Sequence, residues 1–217
     1  MTSFSKLNLS NELIKVLNDI GFDKPTHIQQ KAIPLLNKKP IDFIGLAQTG
    51  TGKTAAFGLP LIDFINSKNK ETQALVLAPT RELGQQIANQ LSLFSKYLPN
   101  IQIQAVYGGA SITVQMKEIK RKTPHIVIAT PGRLLDLMRR KTLSLDSIKF
   151  VILDEADEML NMGFKEDLDK ILSYTGDDKN TWLFSATMPN DIRLIIKNYM
   201  SNPVEVKVSS ENQINKN

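Results

Sequence analysis

Two short stretches of the chain have residue types and spacings suited to phosphate chemistry. The first is AQTGTGKTAAF, which begins at Ala47. Gly50 and Gly52 let the backbone curl around an anion without a clashing Cβ. Lys53 can reach the terminal phosphates of a nucleotide and the Thr54 hydroxyl can ligate Mg²⁺, with Gln48, Thr49 and Thr51 completing the cradle. The general phosphate-loop pattern opens with Gly, where this chain has Ala47. The second stretch is FVILDEAD, in which four apolar residues end at Asp154 and Glu155. Asp154 is suited to hold Mg²⁺ through water, and Glu155 to orient or deprotonate an attacking water. Each stretch also has a plainer reading, as a glycine-rich turn with a surface lysine and as an acidic helix start. Their joint presence favours phosphate chemistry.

The elements around them fit that chemistry. Ile41–Leu46 reads as a buried strand and Thr54 onward as a helix, so the glycines lie at a helix N-terminus, where free N–H groups and the helix dipole favour an anion. Short apolar runs (IDFIGLA, ALVLA, IQAVY, HIVIA, FVILD, TWLFS, VEVKV) alternate with longer amphipathic stretches. This alternation predicts an α/β fold with a mostly parallel central sheet and helices on both faces. Ligands bind such sheets at the strand C-termini, which places Asp154 on the same edge as the glycine loop. Ahead of the sheet, Leu13, Ile14, Val16, Leu17 and Ile20 share a helical face, with Ser10 placed to cap it and Gly21 to end it. A second helix is expected from Thr26 toward Leu36. The expected divisions are a helical segment over 1–40, a nucleotide-binding domain over 41–208 and a polar tail or linker over 209–217.

GFDKPTHIQ (Gly21–Gln29) has two readings. The Phe22 ring can stack on a base, and Gln29 can donate and accept hydrogen bonds at once, matching the N6 and N7 of adenine. Thr26-x-x-Gln29 is also a helix capping box. Both can hold if Thr26 caps while Gln29 faces the base.

With PTRELGQQ (79–86), the pair Gly108–Gly109, TPGR (130–133) and SAT (185–187) following in order, the chain from Phe4 to Thr187 resembles the DEAD-box ATP-dependent RNA helicases. The resemblance implies a RecA-like phosphate-loop NTPase domain that uses ATP and Mg²⁺. It assigns adenine recognition to Phe22, Lys24, Thr26 and Gln29, with Phe4 as an upstream aromatic. It assigns RNA contact to Pro79, Thr80, Arg81, Gly108, Gly109, Thr130, Pro131, Gly132 and Arg133, and coupling of nucleotide state to RNA to Ser185, Ala186 and Thr187. Thr80–Arg81 and Thr130–Arg133 open helices at strand ends. Their N–H groups, hydroxyls and guanidinium forks suit phosphates and sugars, so the RNA contact should be sequence-independent. TPGR also reads simply as a helix start with Pro131 at its first position. Glu82 is expected to orient a loop by ion pairing. Gly84 stands where the family usually has Ala, with little consequence expected.

Family members that hydrolyse ATP efficiently use a second RecA-like domain carrying arginine fingers, worth ~10³–10⁵ in rate. This chain has no HRxGRxGR-like or RGxD-like segment. It is therefore expected to be the first domain alone, binding adenine nucleotide with little ATPase and no unwinding, with RNA and a second RecA-like domain as partners. A stand-alone nucleotide-dependent RNA- or protein-binding module is the alternative.

Composition narrows the remainder. The 217 residues carry 27 Lys+Arg against 22 Asp+Glu, a net +5 compatible with nucleic acid. The absence of cysteine excludes disulfides, cysteine-ligated metals and a cysteine nucleophile, and two histidines disfavour a histidine-rich metal site. With no signal core and no apolar stretch of bilayer length, no membrane contact is expected and a soluble cytoplasmic location is the default. Lys120–Lys122 and Arg139–Lys141 read as solvated surface, with RNA contact the alternative. Met159, Leu160, Met162, Phe164 and Trp182 read as core.

Overall fold

The computed structural model describes residues 3–208. All seven strands expected from the apolar runs form: β1 (Phe43–Leu46), β2 (Ala74–Leu77), β3 (Ile103–Val106), β4 (Ile126–Ala129), β5 (Phe150–Leu153), β6 (Asn180–Ser185) and β7 (Val204–Lys207). They make one parallel sheet in the order β3-β4-β2-β5-β6-β1-β7. The inner strands are apolar at consecutive positions because both faces are covered. Successive residues alternate between two cores: Phe43, Val76, Ile128, Ile152 and Phe184 face one, and Ile44, Leu77, Val127, Leu153 and Leu183 the other.

The first core is covered by α1 (Asn11–Asp19), α2 (His27–Lys38), α3 (Lys53–Phe64) and α4 (Arg81–Phe94). The second is covered by α5 (Ile112–Arg121), α6 (Pro131–Arg139), α7 (Ala156–Asn161), α8 (Lys165–Tyr174) and α9 (Asn190–Tyr199). The N-terminal helical segment packs Leu13, Leu17, Ile28, Ile33 and Leu36 into the same core as α3 and α4. The expected tail, 209–217, lies outside the described residues.

Some local expectations change. Ser10 occupies the N-cap of α1, but its side chain makes no capping bond and its hydroxyl is buried without a partner among the described residues. Its backbone N–H instead donates to Asp63 at 3.1 Å, tying α1 to α3. Met162 is exposed rather than core, because α7 ends before it and Gly163, with φ +84°, turns the chain into α8. Trp182 is fully buried, and its indole N–H donates to the Ile41 carbonyl at 2.9 Å.

Strand order sets the geography of the C-terminal edge. The adjacent strands β5, β6 and β1 end at Leu153, Ser185 and Leu46, so Asp154, Thr187 and the glycine loop share one half of the edge. Strands β3, β4 and β2 end beside one another in the other half, where Gly108, Thr130 and Thr80 follow them.

A candidate nucleotide site beside a candidate RNA surface

The glycine loop runs from β1 into α3, whose N-cap is Gly52. Gly50 and Gly52 have φ of +75° and +88°, the left-handed region that favours glycine. A Cβ on Gly52 would lie 2.4 Å from Gln29 Nε2 and 3.2 Å from Thr26 Oγ1. That crowding comes from a specific contact: Gln29 Nε2 donates to the Gly52 carbonyl at 3.0 Å, while its Oε1 accepts from the Thr26 N–H at 2.8 Å. Gln29 thus closes the capping box of α2 and ties it to the glycine loop. Its amide retains one N–H and one lone pair. Lys53 is buried, with its ammonium donating to the Ala47 carbonyl at 3.1 Å, and Thr51 Oγ1 donates to the Gln48 carbonyl at 2.7 Å. Gln48 and Thr49 are exposed and Thr54 is half-buried at the first turn of α3. Lys24 is exposed, whereas Phe22 is half-buried, its ring 6.0 Å from that of Phe4 and 6.1 Å from that of Phe94. Only part of the Phe22 ring is left to meet a base.

Asp154 is 2% exposed at the end of β5. Burial pushes its carboxyl up to about 6. The Lys53 ammonium opposes that rise, Glu155 and Asp157 add to it, and the Glu155 N–H, donating at 3.1 Å, offsets part of it. Glu155 turns the chain from β5 into α7 at φ 52°, ψ 50°, a left-handed conformation that costs a non-glycine residue of order 1–3 kcal/mol and is found at functional sites. Two residues on, Asp157 Oδ2 accepts from the Thr187 N–H at 2.9 Å and from its hydroxyl at 2.7 Å. Burial pushes the Asp157 carboxyl up, but these bonds and the dipole of the nearby Ser185 hydroxyl outweigh it, and it lies below the usual carboxylate value. Ser185 is fully buried with no hydrogen-bond partner at its hydroxyl among the described residues, and Ala186 and Thr187 are exposed.

In the other half of the edge, Thr80 caps α4 by accepting from the Leu83 N–H at 3.2 Å. Arg81 is exposed, its guanidinium 5.0 Å from the centre of the Tyr107 ring. A Cβ on Gly109, whose φ is +79°, would sit 3.7 Å from Arg81 Nη1. Gly108 and Gly109 are exposed, Thr130 and Gly132 half-buried, and Pro79 and Pro131 buried, with Pro131 opening α6. Arg133 donates to Gln115 at 2.7 Å and to the Ala110 carbonyl at 2.9 Å, so its guanidinium braces the segment that follows Gly108 and Gly109. Glu82 is exposed and makes no ion pair among the described residues.

A DEAD/DEAH box helicase family model matches residues 26–195. The chain belongs to that family. It is 48% identical over 212 residues to the DEAD-box ATP-dependent RNA helicase CshA of Geobacillus kaustophilus, covering 97% of this chain and 44% of the relative. It is 47% identical over 210 residues to the ATP-dependent RNA helicase DeaD of Escherichia coli, covering 96% of this chain and 33% of that protein. The chain thus spans less than half the length of these curated relatives. Among solved structures, a DEAD box protein from Methanococcus jannaschii superposes with a TM-score of 0.90 at 45% identity, over 96% of this chain and 56% of that one. A hypothetical ATP-dependent RNA helicase from Sulfolobus tokodaii gives 0.84 at 36% identity, over 92% and 57%. The fold is the RecA-like α/β domain of the DEAD-box proteins.

Sequence reasoning missed three parts of this DEAD-box site. Asp157 stands in the sequence simply as the last letter of FVILDEAD, although it bridges to Thr187. Tyr107 supports Arg81, and its hydroxyl accepts from Gln85 at 2.7 Å. Gln115 holds Arg133. Tyr107 directly precedes the glycine pair, which is the one signal that could have singled it out.

Proposed function

We propose that this chain is the ATP-binding domain of an RNA helicase, coupling ATP binding and hydrolysis to RNA binding and local duplex opening. The Gln29–Gly52 hydrogen bond carries this reading, because it joins a buried side chain that keeps one N–H and one lone pair uncommitted to the glycine loop. One remaining N–H and one remaining lone pair match adenine and mismatch guanine. The capping and base-reading roles of Gln29 are therefore compatible.

The residues present fit a magnesium nucleotide. Gly52 leaves no room for a side chain, and among the described residues the buried Lys53 ammonium has only the Ala47 carbonyl as hydrogen-bond acceptor and the buried Asp154 carboxylate accepts a single backbone N–H. Gln48–Thr54 would hold the phosphates, with Thr54 and Asp154 facing the metal. When bound, ATP with Mg²⁺ supplies the phosphoryl group to be transferred to water. Glu155 would take up the proton of that water, and Lys53 would offset charge on the terminal phosphates.

RNA would lie along the Thr80–Arg81, Gly108–Gly109 and Thr130–Gly132 half of the edge, contacted through sugars and phosphates, with Arg133 shaping the loop. The Asp157–Thr187 bridge would couple the two halves. Efficient hydrolysis needs an arginine finger from a second RecA-like domain, so this chain alone should bind Mg·ADP with little ATPase and no unwinding. Calorimetric titration with Mg·ADP and Mg·GDP tests the nucleotide reading. Preference for ADP supports it, equal binding would leave only the phosphate loop, and binding of neither would overturn it. Robust RNA-stimulated hydrolysis by this chain would contradict the need for a partner domain.

A further inference from the structure

On the sheet edge opposite the nucleotide and RNA motifs, three segments meet around a cavity of about 410 Å³. Lys68 and Lys70 come from the loop after α3, Asn100 and Gln102 from the segment before β3, and Lys120, Arg121, Lys122 and His125 from the end of α5 and the residues that precede β4. Among the described residues, neither carboxylates nor rings other than that of His125 line it, and the rest of the lining is hydroxyl and amide side chains. None of the five Lys and Arg residues takes part in an ion pair among the described residues. Glu118, on the same helix, is turned to Gln104, whose amide donates to it at 3.0 Å.

The frame beneath these cations is fixed by buried hydrogen bonds. Thr72 Oγ1 donates to the Pro124 carbonyl at 2.9 Å, and the Gln73 N–H donates to the His125 carbonyl at 2.9 Å. The Gln73 side chain closes the lysine loop in both directions, accepting from the Asn66 N–H at 2.9 Å and donating to the Asn66 carbonyl at 2.8 Å. The Gln102 N–H donates to His125 Nδ1 at 2.8 Å. Two cationic segments far apart in sequence are thereby held facing each other, a repulsive arrangement that an anion relieves. Favourable interaction with the α5 dipole would account for Lys120 and Arg121 but not for Lys68 and Lys70.

We propose that this cavity is a second RNA contact, binding sugar–phosphate backbone at the sheet edge remote from the helicase motifs. The choice of RNA rests on the function proposed above, while the anion site rests on the cavity itself. The hydroxyl and amide lining suits sugar and phosphate oxygens. An acidic protein segment would be expected to use an apolar anchor pocket, and no aliphatic side chain lines this one. Without an aromatic platform for stacking, the site reads backbone and not sequence. An RNA long enough to leave the motif track and pass around the domain would be held at both edges.

Fluorescence anisotropy with the whole chain tests this, using single-stranded RNAs of about 10 and about 30 nucleotides across a salt series. The triple variant K68E/K120E/K122E should bind the longer RNA about tenfold more weakly at low salt, with the log–log salt slope reduced by about 2, as loss of three phosphate contacts requires. Binding of the shorter RNA and of Mg·ADP should be unchanged. The neutral variant K68Q/K120Q/K122Q should move the slope in the same direction, which guards against an effect peculiar to the glutamates. Wild-type slopes in both variants, or no RNA binding by the wild-type chain, would overturn the proposal. So would lysine-dependent binding of poly-glutamate or inorganic polyphosphate tighter than that of the longer RNA. Loss of the ADP preference would strike the nucleotide reading and leave this site standing.

Discussion

The carboxylate of Asp157 accepts both the backbone N–H and the hydroxyl of Thr187, at 2.9 and 2.7 Å. These residues leave the adjacent strands β5 and β6, and Asp157 lies three positions from the buried Asp154. This bridge ties the segment after β6 to the acidic turn that follows β5. Thr187→Ala keeps the N–H donor and removes the hydroxyl. It should cost about 0.5–1 kcal/mol of stability, at the low end because the bridge is partly exposed. The folded pKa of Asp157 is depressed, so its contribution to stability is present above the ordinary value of 3.8 and is lost as pH falls through the folded value. The difference between wild type and variant in thermal melts should shrink in acid. Mg·ADP affinity should hold, while the gain in RNA affinity on adding a nonhydrolysable ATP analogue should fall. An unchanged gain would remove the coupling role.

Gly52→Ala should fail for two separable reasons. At φ +88° a side chain costs about 1–3 kcal/mol, and its Cβ would meet Gln29 Nε2 at 2.4 Å. Chemical denaturation of Gly52→Ala, Gln29→Ala and the double variant forms a cycle. The double variant should be more stable than the sum of the single losses predicts, because the clash is already gone, yet less stable than Gln29→Ala because the backbone strain remains. Mg·ADP binding should weaken at least about tenfold in every variant that breaks the Gln29–Gly52 contact, equivalent to about 1.4 kcal/mol. Strict additivity would mean that the two residues do not meet.

The sheet was legible because a parallel sheet covered on both faces writes each strand as a short continuous apolar run, and all seven runs became strands. The glycine loop between β1 and α3 and the carboxylates after β5 were legible because their residues are local in sequence and their types are chemically demanding. What could not be read was long-range pairing. Arg133 reads as an RNA-contacting guanidinium, yet Gln115 and Ala110 from another segment engage it. The Asp157–Thr187 bridge joins residues 30 apart in sequence. Met162 fitted an apolar pattern that the break at Gly163 turned outward. Lys120–Lys122 read as solvated surface, because only the fold brings the loop after α3, with Lys68 and Lys70, to the end of α5.

Gly84→Ala should stabilise the domain. Gly84 lies within α4 and is buried, and an added Cβ would meet Ile128 Cγ2 at 3.7 Å, an ordinary van der Waals contact. With no clash, the helix gains the Gly-to-Ala difference in propensity, about 0.8–1 kcal/mol, plus a small packing term. The melting temperature should rise by a few degrees with Mg·ADP and RNA affinities unchanged. A lower melting temperature would show that the space against β4 is tighter than this contact implies.

Asp154→Asn should make the metal-free domain more stable while weakening its binding of magnesium nucleotide. The folded-state pKa of Asp154, about 6, lies above the ordinary value of 3.8, because burial disfavours its charge. The folded state therefore holds this proton more tightly than the unfolded state does. The charged carboxylate costs stability above pH 6, and that cost declines as pH falls from about 6 to about 4. A shift of this size corresponds to at most about 3 kcal/mol at pH 8. Asparagine does not ionise, so in EDTA at pH 8 the variant should melt higher than wild type, and the two melting curves should converge as the buffer is brought to pH 4. Isothermal titration at pH 8 should give the opposite ranking for Mg·ADP, with the variant weaker, and wild-type affinity should itself fall as pH drops below 6. If the variant is destabilised equally at pH 8 and pH 4, the Asp154 carboxylate is a structural acceptor in the apo fold. If it is stabilised in EDTA and loses Mg·ADP affinity, the charge is kept at a cost to the fold because the metal needs it.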